Sequence, residues 1–399
     1  MSFLNARFFK KPPAIFLMLM GLVTSVSMLV IERVWPEAGH SIHAAMLNIN
    51  FSESLLEGML SFLLFAGSLH VNFAQLRASG LSIISFATVG TMLSTFAIGL
   101  ALWLIAPVFG IALPFLQALL FGCLISPTDP IAVLGILRNA GIKRQVEIKI
   151  IGESPFNDAV AVVLFITVLT LSGKNAANVG VREISLLFFQ EVLGGVVIGL
   201  LIGFVGYCLM RAIDHFQTEI LLSLAMVMGG YTLCSALHFS GPLAMVLAGL
   251  ITGNVGKRDA MSATTQDYLG KFWEVLDEVL NALLFVMVGF QVIQIDYAPG
   301  TLMLSVVVFV ILVGIRYLSL YAPATLFMFK RHLEAREIAA MTWGGLRGGI
   351  SVALALSLPV GTPYRNAIVT IAYVVVALSI TIQGFSIGYF IQRWNLAES

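Results

Sequence analysis

The stretch Ile150-Ile-Gly-Glu-Ser-Pro-Phe-Asn-Asp-Ala-Val-Ala-Val-Val-Leu-Phe165 decides the fold, because it places two carboxylates in an otherwise apolar run that belongs to a membrane span. An ionisable group at bilayer depth is costly, so it normally faces a polar cavity, pairs with a charge, or carries an ion or proton. On a helix, Glu153 and Asn157 share one face, whereas Asp158 points about 100° away from Asn157. One carboxylate can therefore hold a structural partner while the other stays open to a cation. The alternative is a pair of salt bridges that only packs helices together.

The composition of the chain indicates a membrane protein. Of its 399 residues, 59% are hydrophobic and 11% are charged, whereas a soluble domain has about 25% charged residues. The formal net charge of +1 gives no basic face for nucleic acid. The three cysteines share no CxxC spacing and lie in apolar runs, where they are expected to pack as small hydrophobic residues.

Apolar segments of about 20 residues predict twelve transmembrane helices in a single membrane domain over residues 1–399. The predicted helices cover residues 13–34, 51–71, 80–107, 113–140, 146–172, 183–212, 217–238, 241–254, 267–294, 299–329, 334–359 and 363–393. If both termini are cytoplasmic, 16 of the 22 Lys and Arg residues lie on the cytoplasmic side and 4 lie outside. The positive-inside rule therefore predicts that orientation.

Two of these helices contain residues that interrupt a helix. In the fourth, the segment Ser126-Pro-Thr-Asp-Pro130 divides an apolar run ending at Ile125 from one that resumes over residues 131–140. Prolines remove backbone donors that hydrocarbon cannot replace, so two half-helices are expected to meet in a cavity. Ser126, Thr128 and Asp129 would supply oxygen atoms there. In the eleventh, four glycines surround one arginine in Trp343-Gly-Gly-Leu-Arg-Gly-Gly349, which favours a second break. The alternative for each is a merely kinked packing helix.

The two breaks predict an inverted repeat. The fourth and eleventh helices are separated by an odd number of spans and therefore cross the membrane in opposite directions. Helices 1 to 5 would then match helices 8 to 12, and transporters with such repeats bind their ions where the broken helices cross near mid-membrane. A rise of about 1.5 Å per residue puts both Asp158 and Arg347 near the middle of the bilayer. We expect Glu153 to pair with Arg347, and Arg316 to neutralise the carbonyls of a helix break or helix end.

The motifs of the chain, taken together, resemble a known family. They are Ser126-Pro-Thr-Asp-Pro130, Gly152-Glu-Ser-Pro-Phe-Asn-Asp158, Ser240-Gly-Pro-Leu-Ala-Met-Val-Leu-Ala-Gly-Leu250, Phe272-Trp-Glu274 with Asn281-Ala-Leu-Leu-Phe285, Arg316-Tyr-Leu-Ser319 and Trp343-Gly-Gly-Leu-Arg-Gly-Gly349. The chain is similar to bacterial monovalent cation:proton antiporters, the sodium/proton exchangers of the NhaP type. The resemblance implies an all-α integral membrane protein in which two broken helices cross at mid-membrane.

The resemblance also implies roles for individual residues. Asp158 would alternately hold the transported Na+ and a proton, with Ser154 and Thr128 as neighbouring oxygen ligands and Asp129 in the same ion-binding group. The supporting network would comprise Asn157, Glu153, Arg347 and Arg316. Pro155 departs from the family pattern, so the helix is expected to bend locally at the site.

The implied function is exchange of Na+ or Li+ for H+ across the bacterial cytoplasmic membrane. The Asn-Asp pair at residues 157 and 158 implies one cation for one proton, because electrogenic relatives carry two aspartates there. K+/H+ exchange by the same fold is the first alternative. We expect no cofactor and no enzymatic activity. The resemblance further implies a homodimer, with core helices over 80–172 and 299–393 and interface helices over 13–71 and 183–294.

Functions of other classes fit the sequence less well. A cation channel would need a continuous pore with repeated filter or charge rings, whereas one buried carboxylate between broken helices favours alternating access. A membrane hydrolase would need HExxH or GxSxG, and the sequence contains neither. Glu274, Asp277 and Glu278 are expected to cap a helix, pair with Lys271 or line an access funnel rather than to bind the transported ion.

Overall fold

The computed structural model describes residues 58–73, 82–129, 137, 142–173, 181–290, 298–327, 334–359 and 361–394, with scattered positions between 7 and 35. The regular structure of these residues is helical. The helices are α1 (Leu60–Leu69), α2 (Thr91–Ile105), α3 (Phe115–Ile125), α4 (Arg144–Gly173), α5 (Val181–Arg211), α6 (Phe216–Ala236), α7 (Gly241–Ile251), α8 (Ala263–Phe290), α9 (Pro299–Phe327), α10 (Ala335–Gly344), α11 (Gly349–Leu356), α12 (Arg365–Leu378) and α13 (Phe385–Arg393).

Most of the predicted spans coincide with observed helices. Six helical segments in the described part of the chain are long and apolar enough to cross a membrane, which makes the chain a multi-pass membrane protein. The last span, predicted as one helix over 363–393, is α12 and α13 joined by a π-helical turn, Ser379–Gly384. The first predicted span, 13–34, and the residues before position 58 in the second lie largely outside the described residues.

Both predicted helix breaks are present. α3 ends at Ile125, and residues 126–129 are not helical. The predicted resumption over 131–140 lies outside the described residues except for Leu137. In the second break, residues 345–348 separate α10 from α11. The prolines of the first break withhold backbone donors, and the glycines of the second relax the backbone, so neither segment continues as a helix.

α4 lies in the middle of the helix bundle. In the most apolar 18-residue stretch of α4, 72% of the residues are buried inside the protein. In the most apolar 18-residue stretch of α5, only 22% are buried. α5 therefore exposes apolar side chains such as Leu193, Val197 and Phe204 outward, as a helix facing lipid does. Consequently Glu153 and Asp158 of α4 are held away from lipid, in the protein interior.

Small residues bring several helix backbones close together, as is common in membrane proteins. α7 packs between α1 and α5. A β-carbon placed on Gly249 of α7 would lie 2.6 Å from the carbonyl oxygen of Phe65 in α1. A β-carbon on Gly122 of α3 would lie 2.3 Å from the carbonyl oxygen of Thr95 in α2. These contacts seat α7 against α1 and α3 against α2. α1 and α3 each contact α4 as well.

Candidate functional site

The two helix breaks meet each other. The backbone N–H of Asp129 in the first break donates a 2.8 Å hydrogen bond to the carbonyl of Leu346 in the second. The Arg347 guanidinium donates through Nη1 to the carbonyl of Ser126 and, at 3.0 Å, to that of Pro127. These carbonyls lie just after the C-terminal end of α3, where a helix carries partial negative charge. Arg347 is therefore neutralised by the backbone dipoles of the first break.

The backbone of Arg347 is also fixed from the opposite side. Its N–H donates a 3.0 Å hydrogen bond to Oγ of Ser379. The Ser379 hydroxyl in turn donates to Oε1 of Gln383 at 2.6 Å. Ser379 begins the π-helical turn between α12 and α13, and such widened turns are frequent at functional sites. The second break is thus tied to the last helices of the chain.

The first break and α9 pack against one face of α4. Asn157 donates through Nδ2 to Oγ1 of Thr128 at 2.7 Å, and the Thr128 N–H donates back to Oδ1 of Asn157 at 3.3 Å. Arg316 donates through Nη2 to Oε1 of Glu153 at 2.5 Å and to Oγ1 of Thr128 at 3.3 Å. All four side chains are buried. The predicted common face of Glu153 and Asn157 is therefore confirmed.

The predicted partner of Glu153 is wrong. Glu153 forms its ion pair with Arg316, not with Arg347. Helical period fixed the face of α4 on which the carboxylate lies, but the partner depends on which neighbouring helix packs against that face. α9 occupies that position, whereas Arg347 lies over the carbonyls at the end of α3. The two arginines have exchanged the roles expected of them.

The other face of α4 opens into a small cavity. Ser154 and Asp158 are one helical turn apart and both line it, together with Asp129 of the first break. The cavity has a volume of about 30 Å³, which is room for one or two water-sized particles. Within the described part of the chain, Oδ1 of the buried Asp158 has no hydrogen-bond partner. Carboxylate and hydroxyl oxygens are the ligands that hard cations prefer.

The sequence-predicted site residues are thus brought together on two sides of α4. Asp158, Ser154 and Asp129 line the cavity. Thr128 lies on the other side, where its hydroxyl oxygen accepts hydrogen bonds from both Asn157 and Arg316. A hydroxyl oxygen has two lone pairs, and these two hydrogen bonds use both of them. In this arrangement Thr128 therefore fixes the orientation of the first break. Its role as a cation ligand stays a prediction.

Lys271 pairs with Asp267 at 2.7 Å, so the alternative in which Glu274, Asp277 or Glu278 pairs with Lys271 is wrong. Asp277 and Asn281 on α8 both line the cavity. For Asp277 a lining role was one of the alternatives, whereas the sequence analysis gave Asn281 no role in the site. The signal that could have found them is their spacing of four residues, which places a carboxylate and an amide on one face of a membrane helix.

Comparisons with known proteins show the family of the chain. The family model "Sodium/hydrogen exchanger, transmembrane" matches residues 1–393. The Na(+)/H(+) antiporter NhaP of Pseudomonas aeruginosa is 42% identical over 402 residues, which cover 98% of this chain and 93% of that protein. The Na(+)/H(+) antiporter NhaH of Halobacillus dabanensis is 31% identical and covers 98% and 94%.

A solved structure shares the fold. The sodium proton antiporter MjNhaP1 of Methanocaldococcus jannaschii superimposes with a TM-score of 0.73 at 18% sequence identity, covering 100% of this chain and 96% of that one. At this identity the match speaks for the fold, while the family match and the 42% identical relative extend over nearly the whole sequence. The chain therefore belongs to the sodium/hydrogen exchanger family of membrane transporters.

Proposed function

We propose that this chain exchanges Na+ or Li+ for H+ across the bacterial cytoplasmic membrane. The observation that carries the proposal is the Asp158 carboxylate, which is buried, has an oxygen atom without a hydrogen-bond partner among the described residues, and lines a small cavity with Ser154 and Asp129. Relatives 42% and 31% identical to it are named Na(+)/H(+) antiporters.

Competition for one carboxylate couples the two ions. A cation beside Asp158 stabilises its ionised form and so displaces a proton, while a bound proton removes the charge that attracts the cation. Ser154 and Asp129 supply further oxygen atoms to the cation. Because the cavity is small, the cation must shed most of its water to enter, and these protein oxygens replace it.

The exchange is one cation for one proton. Asn157 is a neutral amide, and Glu153 is held in its ion pair by Arg316. Neither side chain is then available to carry a second proton. Among the carboxylates that line the cavity, we assign the exchanged proton to Asp158, as the resemblance to the family implies. No net charge moves in such a cycle, so the membrane potential neither drives nor opposes it.

The proposal extends to the placement and assembly of the chain. Both termini lie in the cytoplasm, in keeping with the distribution of Lys and Arg. Predicted helices 1 to 5 and 8 to 12 form an inverted repeat, and the core helices over 80–172 and 299–393 carry the crossing breaks. Helices over 13–71 and 183–294 form the interface of a homodimer, as the resemblance to the family implies.

The test is Asp158→Asn in everted membrane vesicles, with Na+ added after a proton gradient has formed. We expect Na+-induced proton release to disappear, because the amide of asparagine has no exchangeable proton and no negative charge to attract the cation. Asp267→Asn is the control, because Asp267 is an exposed carboxylate on α8 that pairs with Lys271. Proton release at the wild-type rate in Asp158→Asn would overturn the proposal.

A further inference from the structure

The cavity beside Asp158 is bounded by two separate groups of helices. Asp129 reaches it from the first break, Ser154 and Asp158 from α4, and Ile350 from α11. Another part of the lining comes from α1 and α8, and the two polar side chains of this wall are those of Asp277 and Asn281. Any cation in this cavity therefore faces oxygen atoms from both groups.

Asp277 differs from the carboxylates beside it on α8. Glu274 and Glu278 are exposed on the outside of the helix, whereas Asp277 is half-buried and lines the cavity. Within the described part of the chain Asp277 forms no ion pair with a basic residue, and no basic side chain lines the cavity. Asp129 and Asp158 line the same cavity, so three carboxylates share it.

Asn281 completes the polar part of this wall. It lies one helical turn after Asp277, and its amide nitrogen donates a 3.0 Å hydrogen bond to the backbone carbonyl of Asp277. That bond fixes the amide and leaves its oxygen as the acceptor that can face the cavity. Aspartate and asparagine oxygens are both ligands for hard cations.

Carboxylates that share one cavity repel each other unless a cation lies between them. Asp158 lines this cavity as well, and one oxygen of its buried carboxylate has no hydrogen-bond partner among the described residues. We propose that Asp277, supported by Asn281, is a further residue that holds the transported monovalent cation, in the cavity that it shares with Asp158. This inference rests on the proposed function and adds a ligand contributed by the other group of helices.

A cation ligand on α8 affects how the cation is bound during the transport cycle. In alternating access one group of helices moves against the other around the bound ion. α8 and α1 would then shift relative to α4 and the breaks, and the Asp277 oxygens would separate from those of Asp158. Asp277 thus helps the cation to bind in one orientation, and its loss affects affinity more than turnover.

The experiment compares Asp277→Asn, Asp277→Glu and the exposed-face controls Glu274→Gln and Glu278→Gln in everted vesicles. For Asp277→Asn we expect the apparent KM for Na+ to rise about tenfold while the maximal rate stays within about twofold. Asp277→Glu keeps the charge and should recover most of the affinity. The two glutamine controls should keep the wild-type KM.

If a variant assembles poorly in the membrane, its transport rate is not informative, and Na+ binding is measured on purified protein instead. Purified protein in detergent is heated with increasing NaCl, with choline chloride as the ionic-strength control, and the Na+ concentration for half-maximal thermal stabilisation is determined. The inference expects this concentration to rise about tenfold in Asp277→Asn. An unchanged concentration together with an unchanged KM would overturn it. Asp158→Asn is measured in the same series. If it abolishes exchange while Asp277→Asn has no effect, only the role of Asp277 is refuted. If Asp158→Asn stays active, the proposed function itself is refuted.

Discussion

Two arginines are buried beside the site, and they are neutralised in different ways. Arg316 in α9 forms a 2.5 Å ion pair with Glu153 of α4. Arg347 in the second break donates to the carbonyls of Ser126 and Pro127 and is not within ion-pair distance of a described carboxylate. Full charges meet at the first arginine, whereas the second meets the partial charges of a helix end.

The difference separates two tasks. The pair of Glu153 with Arg316 removes one carboxylate of α4 from ion exchange. Arg347 joins the two breaks without using a carboxylate, so Asp158 can keep an oxygen for the cation. Had Arg347 paired directly with Asp158, the cation would have had to compete with a permanent positive charge.

The largest effect is expected at the ion pair. Arg316→Gln strands the buried Glu153 charge and should destabilise the protein by about 3 to 5 kcal/mol. The double variant Arg316→Gln with Glu153→Gln should cost less than Arg316→Gln alone, because no buried charge is left unpaired. Thermal unfolding of the purified variants in detergent measures the destabilisation of the single variants and of the double variant. Strict additivity of the two single changes would refute the pairing.

A smaller effect is expected at the second arginine. Arg347→Gln removes the donor from the two carbonyls of the first break, which should cost about 1 to 3 kcal/mol for a buried acceptor left unsatisfied. Adding Glu153→Gln should bring no recovery, in contrast to its effect on Arg316→Gln. If Glu153→Gln rescued Arg347→Gln instead, the carboxylate would belong to Arg347 and the comparison would be reversed.

The crossing of the breaks can be tested with two glycines that differ in available space. A β-carbon on Gly348 would lie 2.8 Å from Cβ of Asp129, whereas one on Gly345 would lie no closer than 3.2 Å to any neighbour. Gly348→Ala should therefore cost about 1 to 3 kcal/mol through overpacking and impair exchange by displacing Asp129. Gly345→Ala is the matched control with the smaller loss. Equal thermal stability and equal exchange rates in the two variants would show that the breaks do not cross this closely.

Much of the fold could be predicted from local patterns in the sequence. Apolar length predicted the spans, and prolines and glycines predicted the breaks at 126–130 and 343–349. The period of α4 predicted that Glu153 and Asn157 share a face and that Asp158 looks elsewhere, as the contacts confirm.

The remaining features depend on contacts between distant helices. Arg316 and Arg347 are both buried cations at similar depth, and nothing in their local sequence tells which one α4 meets. Asp277 is 119 positions from Asp158 in the sequence, and its place on the cavity wall follows from the packing of α8 against α1 and α11. Such choices are made by tertiary packing, which periodicity does not specify.

The central claim is that Asp158 is the exchangeable carboxylate while Arg316 holds Glu153. The most direct test is the voltage dependence of exchange in proteoliposomes under a saturating Na+ gradient, with the potential set by valinomycin and K+ after K+ has been shown not to exchange. Each net charge that crosses 100 mV would contribute about 2.3 kcal/mol of driving force. We expect the same exchange rate at zero and at 100 mV of either sign, and no sustained current on a supported membrane. A rate that changes steeply with voltage, or a sustained current, would contradict the claim by showing that more than one proton moves per cation.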